Sequence, residues 1–150
     1  MPATTPKATN HASLPPLASR FVDVAALPWE NTRFPGVRQK VLVIDRDTGV
    51  ATVLIHMAPG ARLPDHEHVL IEQTYVLEGS LMCDEGECKA GEFVWRPAGS
   101  RHRAWGGPHG GLMLAIFQIA NRFFEADGRE TDVTGRDWDE AWGRALFREA

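Results

Sequence analysis

The sequence has few of the features that mark proteins binding nucleic acid or anionic membranes. Its 150 residues include 16 Lys and Arg against 20 Asp and Glu, for a formal net charge of −4, and the basic residues are scattered along the chain. The chain therefore lacks an electrostatic footprint for nucleic acid or for a membrane surface. We expect a small molecule as its partner.

Long apolar runs are also missing. No stretch approaches the roughly 20 consecutive apolar residues of a membrane-spanning helix. The N-terminus has no apolar core of the kind that signal peptides carry. We therefore expect a cytoplasmic protein without membrane association.

Cysteine is scarce, since the chain has only Cys83 and Cys88. The two residues flank the segment Asp-Glu-Gly-Glu at 84–87, which predicts a hairpin turn whose strands would bring the thiols close together. The sequence leaves a disulfide or a metal role open. Two cysteines in a cytosolic protein are usually unpaired thiols, and we favour that interpretation.

A chain of this length can bury a sufficient core without a disulfide or a metal as a staple, so a bound metal would serve function more than structure. Residues 1–19 are rich in Pro, Thr, Ala and Ser and have no apolar period. This composition predicts a disordered or loosely draped N-terminal segment ahead of a single domain over residues 20–150. His11 lies in that segment, and we discount it because a metal ligand needs a fixed position.

Short apolar runs separated by Gly, Pro and Asp dominate the chain from Val41 onward. The runs are residues 41–44, 50–57, 71–77, 80–83, 92–96 and 112–119. Short runs at this spacing are typical of an all-β sandwich or barrel. No internal repeat is visible, so we expect one barrel.

The end of the chain has a helical pattern. Asp137 precedes Trp138, and Glu140 follows three residues after Asp137, as in a capping box. Trp138, Trp142 and Leu146 then recur at a spacing of four residues. The pattern predicts a short C-terminal helix that packs an aromatic stripe on the barrel.

Two features of the sequence indicate assembly. Residues 112–117 are apolar on both faces, which predicts a strand covered on one side by the barrel interior and on the other by a further sheet or a second subunit. With the tryptophans of the C-terminal helix, this is more apolar surface than one small barrel can cover. We expect a homodimer or a dimer-based oligomer.

Polar residues of metal-ligating type cluster between Gly60 and Glu72. His66, His68 and Glu72 lie at positions of the same parity, so on an extended strand their side chains would share one face. Inside a small barrel that face is the cavity, where a divalent cation would compensate them. The alternative is a solvated edge strand, and these residues alone do not decide between the two.

A second segment, Gly91 to His102, supplies another histidine just after Pro97 and Gly99. Together the two segments resemble the two motifs of the cupin superfamily. The first motif, Gly-x5-His-x-His-x3-Glu-x6-Gly, is matched in full from Gly60 to Gly79. The second, Gly-x5-Pro-x-Gly-x2-His-x3-Asn, is matched from Gly91 except that Gly106 stands where the family usually has Asn, which puts the local turn in question.

The resemblance implies a jelly-roll β-barrel that holds one divalent metal ion. By the same resemblance, the ligands of the ion would be His66, His68, Glu72 and His102. Three histidines and a carboxylate suit Fe(II), Zn(II), Mn(II) or Ni(II), and affinity order does not select among these ions.

Weaker resemblances point to two functions. Residues 91–117 are similar to the cupin half of zinc-binding anti-sigma regulators, which implies a non-catalytic module that binds a small molecule or senses a metal. Residues 121–128 with the following helix are similar to the β-diketone-cleaving and dihydroxyacetophenone-cleaving dioxygenases. That similarity implies an Fe(II)-dependent dioxygenase that cleaves a C–C bond of a small β-diketone or hydroxyketone.

We favour the dioxygenase, because only a tail precedes the barrel and leaves no separate sigma-binding region. Glu72 would then be a fourth ligand or the catalytic base that removes the enolisable proton. A metal-dependent isomerase or decarboxylase shares every one of these site residues and stays open as a third function.

The expected surroundings of the metal are apolar. Phe93, Trp95, Trp105 and Phe117 are candidate cavity residues, and the sequence has no evident anion-binding group among them. This composition favours a flat, hydrophobic, oxygen-chelating ligand over a sugar or phosphate.

Four further polar residues have weaker claims on the site. His56, at the end of an apolar run, either orients a ligand from the cavity wall or, as we favour, is a barrel histidine with its own hydrogen bonds. His109 is expected in a mobile surface loop over residues 106–111. Arg101 and Arg103 have the parity opposite to that of His102 and are expected to face solvent.

Overall fold

The apolar runs of the chain form β-strands of one strongly curled sheet. A computed structural model describes residues 3–147, and in that part of the chain ten strands lie between a 3-10 helix, Val24–Ala26, and one α-helix. The strands are β1 Glu30–Asn31, β2 Val37–Ile44, β3 Ala51–Met57, β4 Arg62–Glu67, β5 Glu72–Cys83, β6 Gly86–Lys89, β7 Phe93–Arg96, β8 Arg101–Phe117, β9 Arg122–Phe124 and β10 Glu130–Thr131; the helix is α1 Trp138–Leu146. The predicted all-β fold with a C-terminal helix is confirmed.

Antiparallel pairing connects the strands in the order β1-β2-β3-β8-β4-β9-β10. Strand β5 pairs with β8 as well, and it carries β6 and β7 along its other edge. β8 is thus shared by three neighbours, because β3, β4 and β5 all pair with it. This shared strand closes the sheet around an interior.

The core fills that interior. One buried cluster lies between the curled faces of the sheet and includes Met57, Val76, Met113 and Phe123. A second cluster lies under α1, where Ile119 packs with Trp138 and Trp142.

The C-terminal helix is held by its predicted aromatic residues. Asp137 caps it, since its side chain accepts a hydrogen bond from the Glu140 backbone N–H at 3.0 Å. Trp138 is 0% and Trp142 5% exposed. Their indole nitrogens donate to the Ala120 carbonyl at 3.0 Å and to Asp132 Oδ2 at 3.1 Å. The chain itself therefore covers the two tryptophans, whereas Leu146 of the same predicted stripe is 36% exposed.

Strand β8 is less two-sided than its sequence predicts. Met113 and Ala115 are buried toward the interior, but on the outer face Leu112 and Leu114 are half-buried and Ile116 is exposed. Within the chain, no further sheet of the described residues covers this outer face.

The predicted loop at residues 106–111 is wrong, because this glycine-rich segment belongs to β8. Its glycines are needed for close approach. A Cβ built on Gly106 would lie 2.4 Å from the Ala58 carbonyl oxygen, and one on Gly79 would lie 2.0 Å from the Gly110 carbonyl oxygen. The Asn that the second cupin motif usually has at this position therefore has no room here. Gly106 lies within strand β8 and not in a turn.

The N-terminal segment follows the edge of β2. Thr4 and Ile44 form a bridge with N–H to O distances of 2.9 and 2.8 Å, and the Thr5 hydroxyl donates to the Leu42 carbonyl at 2.6 Å. The division into residues 1–19 and 20–150 stays a prediction. Among residues 3–147, no helix has the length and apolar character to cross a membrane.

The glycine packing makes a prediction about stability. Gly106→Asn forces a side chain against backbone and should lower the free energy of unfolding by roughly 1–3 kcal/mol. As a matched control, Gly143→Ala in α1 meets only ordinary contacts, the nearest at 3.7 Å from Asp139, and should raise it by up to about 1 kcal/mol. Urea unfolding measures both, and an unchanged midpoint for Gly106→Asn would contradict the packing described.

Candidate metal centre

Three histidines converge in the barrel interior. His66 on β4 is the direct register partner of His102 on β8, and His68 follows the end of β4. Two backbone hydrogen bonds fix His68, from its own N–H to the Ser100 carbonyl at 2.9 Å and from the Gly99 N–H to the His68 carbonyl at 2.7 Å. The three ring centroids lie 4.6 to 5.0 Å apart.

Hydrogen bonds set the tautomers of two of these rings. His66 Nδ1 lies 2.8 Å from the Pro64 carbonyl, which only accepts, so Nδ1 carries the proton and Nε2 keeps its lone pair. His68 Nδ1 lies 3.0 Å from Asn121 Oδ1 and 2.6 Å from Glu72 Oε2, so it too is a donor. Nε2 of His68 is buried and has no partner. Both rings thus present an Nε2 lone pair of the kind that metals bind.

Burial keeps the rings neutral. Loss of hydration lowers the pKa of His66 to about 4 and that of His102 to about 3. At neutral pH both imidazoles are therefore unprotonated, which is the form that ligates a cation.

Glu72 opens β5 beside the histidines. Its Oε1 accepts a hydrogen bond from the Thr74 hydroxyl at 2.8 Å. Its Oε2 lies close to His68 Nδ1, but the N–H of that nitrogen points to Asn121 Oδ1. Oε2 therefore has no hydrogen-bond partner. Burial raises the pKa of Glu72, but the contacts with His68 and Thr74 outweigh it and hold the pKa below its ordinary value. The carboxyl is therefore ionised.

The donor atoms fit a divalent cation. One ligand atom from each of His66, His68 and His102 lies within 4.8 Å of the others, and His68 Nε2, His102 Nδ1 and Glu72 Oε2 are buried polar atoms without partners. Unpaired buried polar atoms are costly, and a cation among neutral imidazoles and a carboxylate compensates them. Imidazole ligands suit several transition metals, so the donors do not name the ion.

The predicted residues meet by a different route from the one that their parity suggests. β4 ends at Glu67 and β5 begins at Glu72, with a bend at Val69 and Leu70 between them. His66 and Glu72 therefore reach the interior from two different strands, and the single-strand expectation is wrong. The three histidines form the group that could hold a metal; Glu72 as a fourth ligand stays a prediction.

Two cavities adjoin the centre. The inner one, of about 30 Å³, is bordered by His66, Glu72 and His102. A wider mouth of about 470 Å³ opens beyond it between β6, β7 and the start of β8. Leu81, Arg96 and His102 border both. A volume of 470 Å³ is in the range of small-molecule sites.

The aromatic lining is only partly as predicted. Phe117 borders the inner cavity. Phe93 and Trp95 border the mouth alone and are 53% and 57% exposed. Trp105 borders neither cavity and stacks instead with Arg62.

Sequence reasoning missed Arg96, a cationic side chain that borders both cavities. Arg96 is the register partner of Glu72 on β7, and its side chain is 9% exposed. The apolar alternation of β7 is inverted, with Phe93 and Trp95 outside and Arg96 inside. In the sequence, the two aromatic residues suggest that their side of β7 faces the interior. Only the pairing of Arg96 with Glu72 could have shown that Arg96 lies on the interior side.

The remaining polar candidates lie outside the centre. His56 faces the outer side of β3 against Trp29, with ring centroids 6.0 Å apart. His109 is exposed on β8. Arg101 and Arg103 face solvent as predicted and contact Asp65 and Asp84.

Three further residues considered in the sequence, His11, Cys83 and Cys88, are not part of the group of His66, His68 and His102. His11 Nε2 lies 2.9 Å from the Phe21 carbonyl oxygen. Cys83 and Cys88 flank the predicted hairpin turn and are free thiols.

Comparison with known families decides the assignment of this barrel. A family model described as the ChrR cupin-like domain matches residues 18–121, more than half of the chain. The chain belongs to this cupin family. No curated protein matched the chain significantly.

Solved structures agree with the cupin fold. A candidate acetylacetone dioxygenase from Methylibium petroleiphilum PM1 has a TM-score of 0.70 at 21% identity, over 84% of this chain and 95% of that one. An acetylacetone dioxygenase from Acinetobacter johnsonii has a TM-score of 0.67 at 16% identity, over 94% and 100%. At these identities the likeness establishes the fold alone.

The anti-sigma regulator is represented as well. The Rhodobacter sphaeroides complex of SigE with the anti-sigma ChrR has a chain that matches this cupin with a TM-score of 0.54 at 25% identity, over 61% of this chain and 50% of that one.

The centre makes a direct prediction about metal content. His66→Ala, His68→Ala and His102→Ala each remove one donor and should weaken metal binding by roughly tenfold or more, because ligand and supporting residues each contribute about that much. His109→Ala is the matched control, since this histidine is exposed on β8. Elemental analysis after dialysis measures the bound metal, and equal metal in all four variants would contradict the site.

Proposed function

We propose that this cupin is an Fe(II)-dependent dioxygenase that cleaves a C–C bond of a small β-diketone or α-hydroxyketone. The observation that carries the proposal is the cluster of three histidines, of which His102 borders a mouth of about 470 Å³. Three protein ligands leave coordination positions for a chelating substrate. The fold likeness to acetylacetone dioxygenases supports this choice.

The metal would be held by His66, His68 and His102. When bound, it supplies Lewis-acid polarisation of the ketone oxygens and, as Fe(II), the reducing power that O₂ activation needs. The protein supplies the rest, which is orientation of the substrate, exclusion of water from an inner cavity of about 30 Å³, and proton transfer.

Glu72 is placed for the proton transfer. Glu72 borders the inner cavity, and its Oε2 has no hydrogen-bond partner, while Thr74 holds Oε1. We assign Oε2 as the base that takes the proton from the carbon between the two carbonyl groups and later returns it to a product.

The net reaction balances without a further reductant. A β-diketone R–CO–CH₂–CO–R′ and O₂ give R–COOH and R′–CO–CHO, with both oxygen atoms incorporated. An α-hydroxyketone R–CO–CH₂OH and O₂ give R–COOH and HCOOH.

A second candidate is a non-catalytic module that binds a metal and a small molecule. The observation that favours it is the family itself, since the matching model is that of the ChrR cupin-like domain. The metal would then be Zn(II), held by the same three histidines, and ligand binding would proceed without turnover.

We also propose that the chain forms a homodimer or a dimer-based oligomer. On the outer face of β5, β7 and β8, the neighbouring side chains Tyr75, Phe93, Trp95 and Ile116 are 44%, 53%, 57% and 38% exposed. Exposed apolar patches of this kind mark contact surfaces, and sedimentation velocity distinguishes a dimer from a monomer.

The cytoplasmic location, and a small molecule rather than nucleic acid or a membrane as partner, stay predictions.

Oxygen uptake tests the proposed reaction. Protein reconstituted anaerobically with Fe(II) should consume one O₂ per molecule of 2,4-pentanedione or of 2-hydroxyacetophenone, which carries its hydroxyl on the α carbon. Glu72→Gln should keep most of the metal and lose roughly 10²–10⁴-fold in turnover, the usual contribution of a general base. Glu78→Gln, on the exposed side of β5, is the matched control.

Two results would contradict the dioxygenase. One is an Fe(II) form that binds these ketones without consuming oxygen. The other is Zn(II) as the only ion in protein purified without added metal. Together they would favour the binding module.

A further inference from the structure

Arg96 is a buried cation with incomplete pairing. Its Nε is buried and has no partner. Its Nη1 lies 3.6 Å from Glu85 Oε1, a carboxylate whose side chain is 81% exposed, and both Nη atoms contact the Cys83 sulfur at 3.8 and 3.9 Å. A thiol and a solvated carboxylate at the edge of contact distance do not satisfy a guanidinium.

Arg96 also lies close to the metal centre. It borders both the inner cavity and the mouth, as His102 does. Burial is the largest cause of the lowered pKa of His66 and of His102, and the positive charge of Arg96 is a smaller cause that acts in the same direction.

The charge of the interior is unbalanced. A divalent ion and Arg96 together carry three positive charges, and Glu72 offers one negative charge among the side chains that border the inner cavity. In a low-dielectric interior such an excess is unfavourable unless a bound anion offsets it.

The carboxylates at the rim do not supply that anion. Glu85, Glu87 and Glu92 border the mouth but are exposed, so water and salt screen them. Lys89 also contacts two of these carboxylates. Its backbone N–H donates to Glu92 Oε1 at 2.7 Å, and its Nζ lies 3.8 Å from Glu87 Oε1.

We propose that Arg96 binds a carboxylate group of the substrate, so that this site takes small keto acids in preference to neutral ketones. The ketone oxygens would face His66 and His102 where these border the inner cavity, and the carboxylate would meet the guanidinium at the boundary of that cavity with the mouth. A planar guanidinium is suited to a carboxylate in this way. This inference rests on the proposed function in one respect, which is that the ketone oxygens of the substrate bind the metal.

A matched pair of probes isolates the carboxylate. 2,4-Dioxopentanoate and 2,4-pentanedione share the β-diketone and differ by a carboxylate in place of a methyl group. Titration calorimetry on the Zn(II)-loaded protein measures binding of both without any turnover. We expect the wild type to bind the acid about tenfold more tightly or better, the usual effect of one hydrogen-bonded charge pair.

The variants assign this preference to Arg96. Arg96→Met should abolish it and leave 2,4-pentanedione binding within about twofold, whereas Arg96→Lys should restore part of it because the charge returns without the fork. Glu85→Gln should keep or increase the preference, since it frees the guanidinium. Arg103→Met, whose arginine is exposed and pairs with Asp84 outside the barrel, should change nothing.

Two outcomes would overturn the inference. One is a wild-type protein that binds both probes equally, and the other is an Arg96→Met variant that folds, keeps its Zn(II) and retains the preference. If Arg96→Met does not fold, Arg96→Lys provides the test. An unchanged preference of Arg96→Lys for the acid would contradict a bidentate contact between the Arg96 guanidinium and the carboxylate. A failed oxygen-uptake assay with an intact binding preference would reject the dioxygenase and leave the role of Arg96 standing.

Discussion

The backbone pairing of β4 with β8 is the constraint on which the centre depends. It places His66 directly opposite His102, and the turn before β8 holds His68 through hydrogen bonds with Gly99 and Ser100. β8 pairs with β3, β4 and β5 at once. Its glycines permit this, because backbone oxygens of the neighbouring segments lie where a Cβ atom would otherwise be. The ligand geometry is thus a property of the sheet and not of a flexible loop, which is the arrangement that holds donor atoms in place.

Charge governs what this geometry can bind. Burial keeps the imidazoles of His66 and His102 neutral, so a cation meets their lone pairs instead of repulsion. Glu72 offsets part of the charge of the cation, and Arg96 adds to it from the neighbouring strand β7. The interior is therefore suited to a metal together with an anionic ligand, which links the metal centre to the expected chemistry of the substrate.

The sequence predicted most of the fold, because strand-length apolar runs and the turn residues between them are local signals. The histidines were identified by the resemblance of their spacing to the two cupin motifs. It predicted less well what depends on long-range register. Residues 106–111 look like a loop but pair with β5 and β3. In β7, Phe93 and Trp95 were expected to line the cavity but are exposed, and Arg96 is the buried residue. Which side of a short strand is buried follows from its partner strand, and no pattern within four residues contains that information.

X-ray absorption spectroscopy on protein loaded with one equivalent of Zn(II) tests the metal centre most directly. Our account predicts three imidazole nitrogens at about 2.0–2.1 Å, with the remaining positions filled by oxygen. A sulfur scatterer at about 2.3 Å, which would place the ion at Cys83 or Cys88, or a first shell without imidazole, would contradict it.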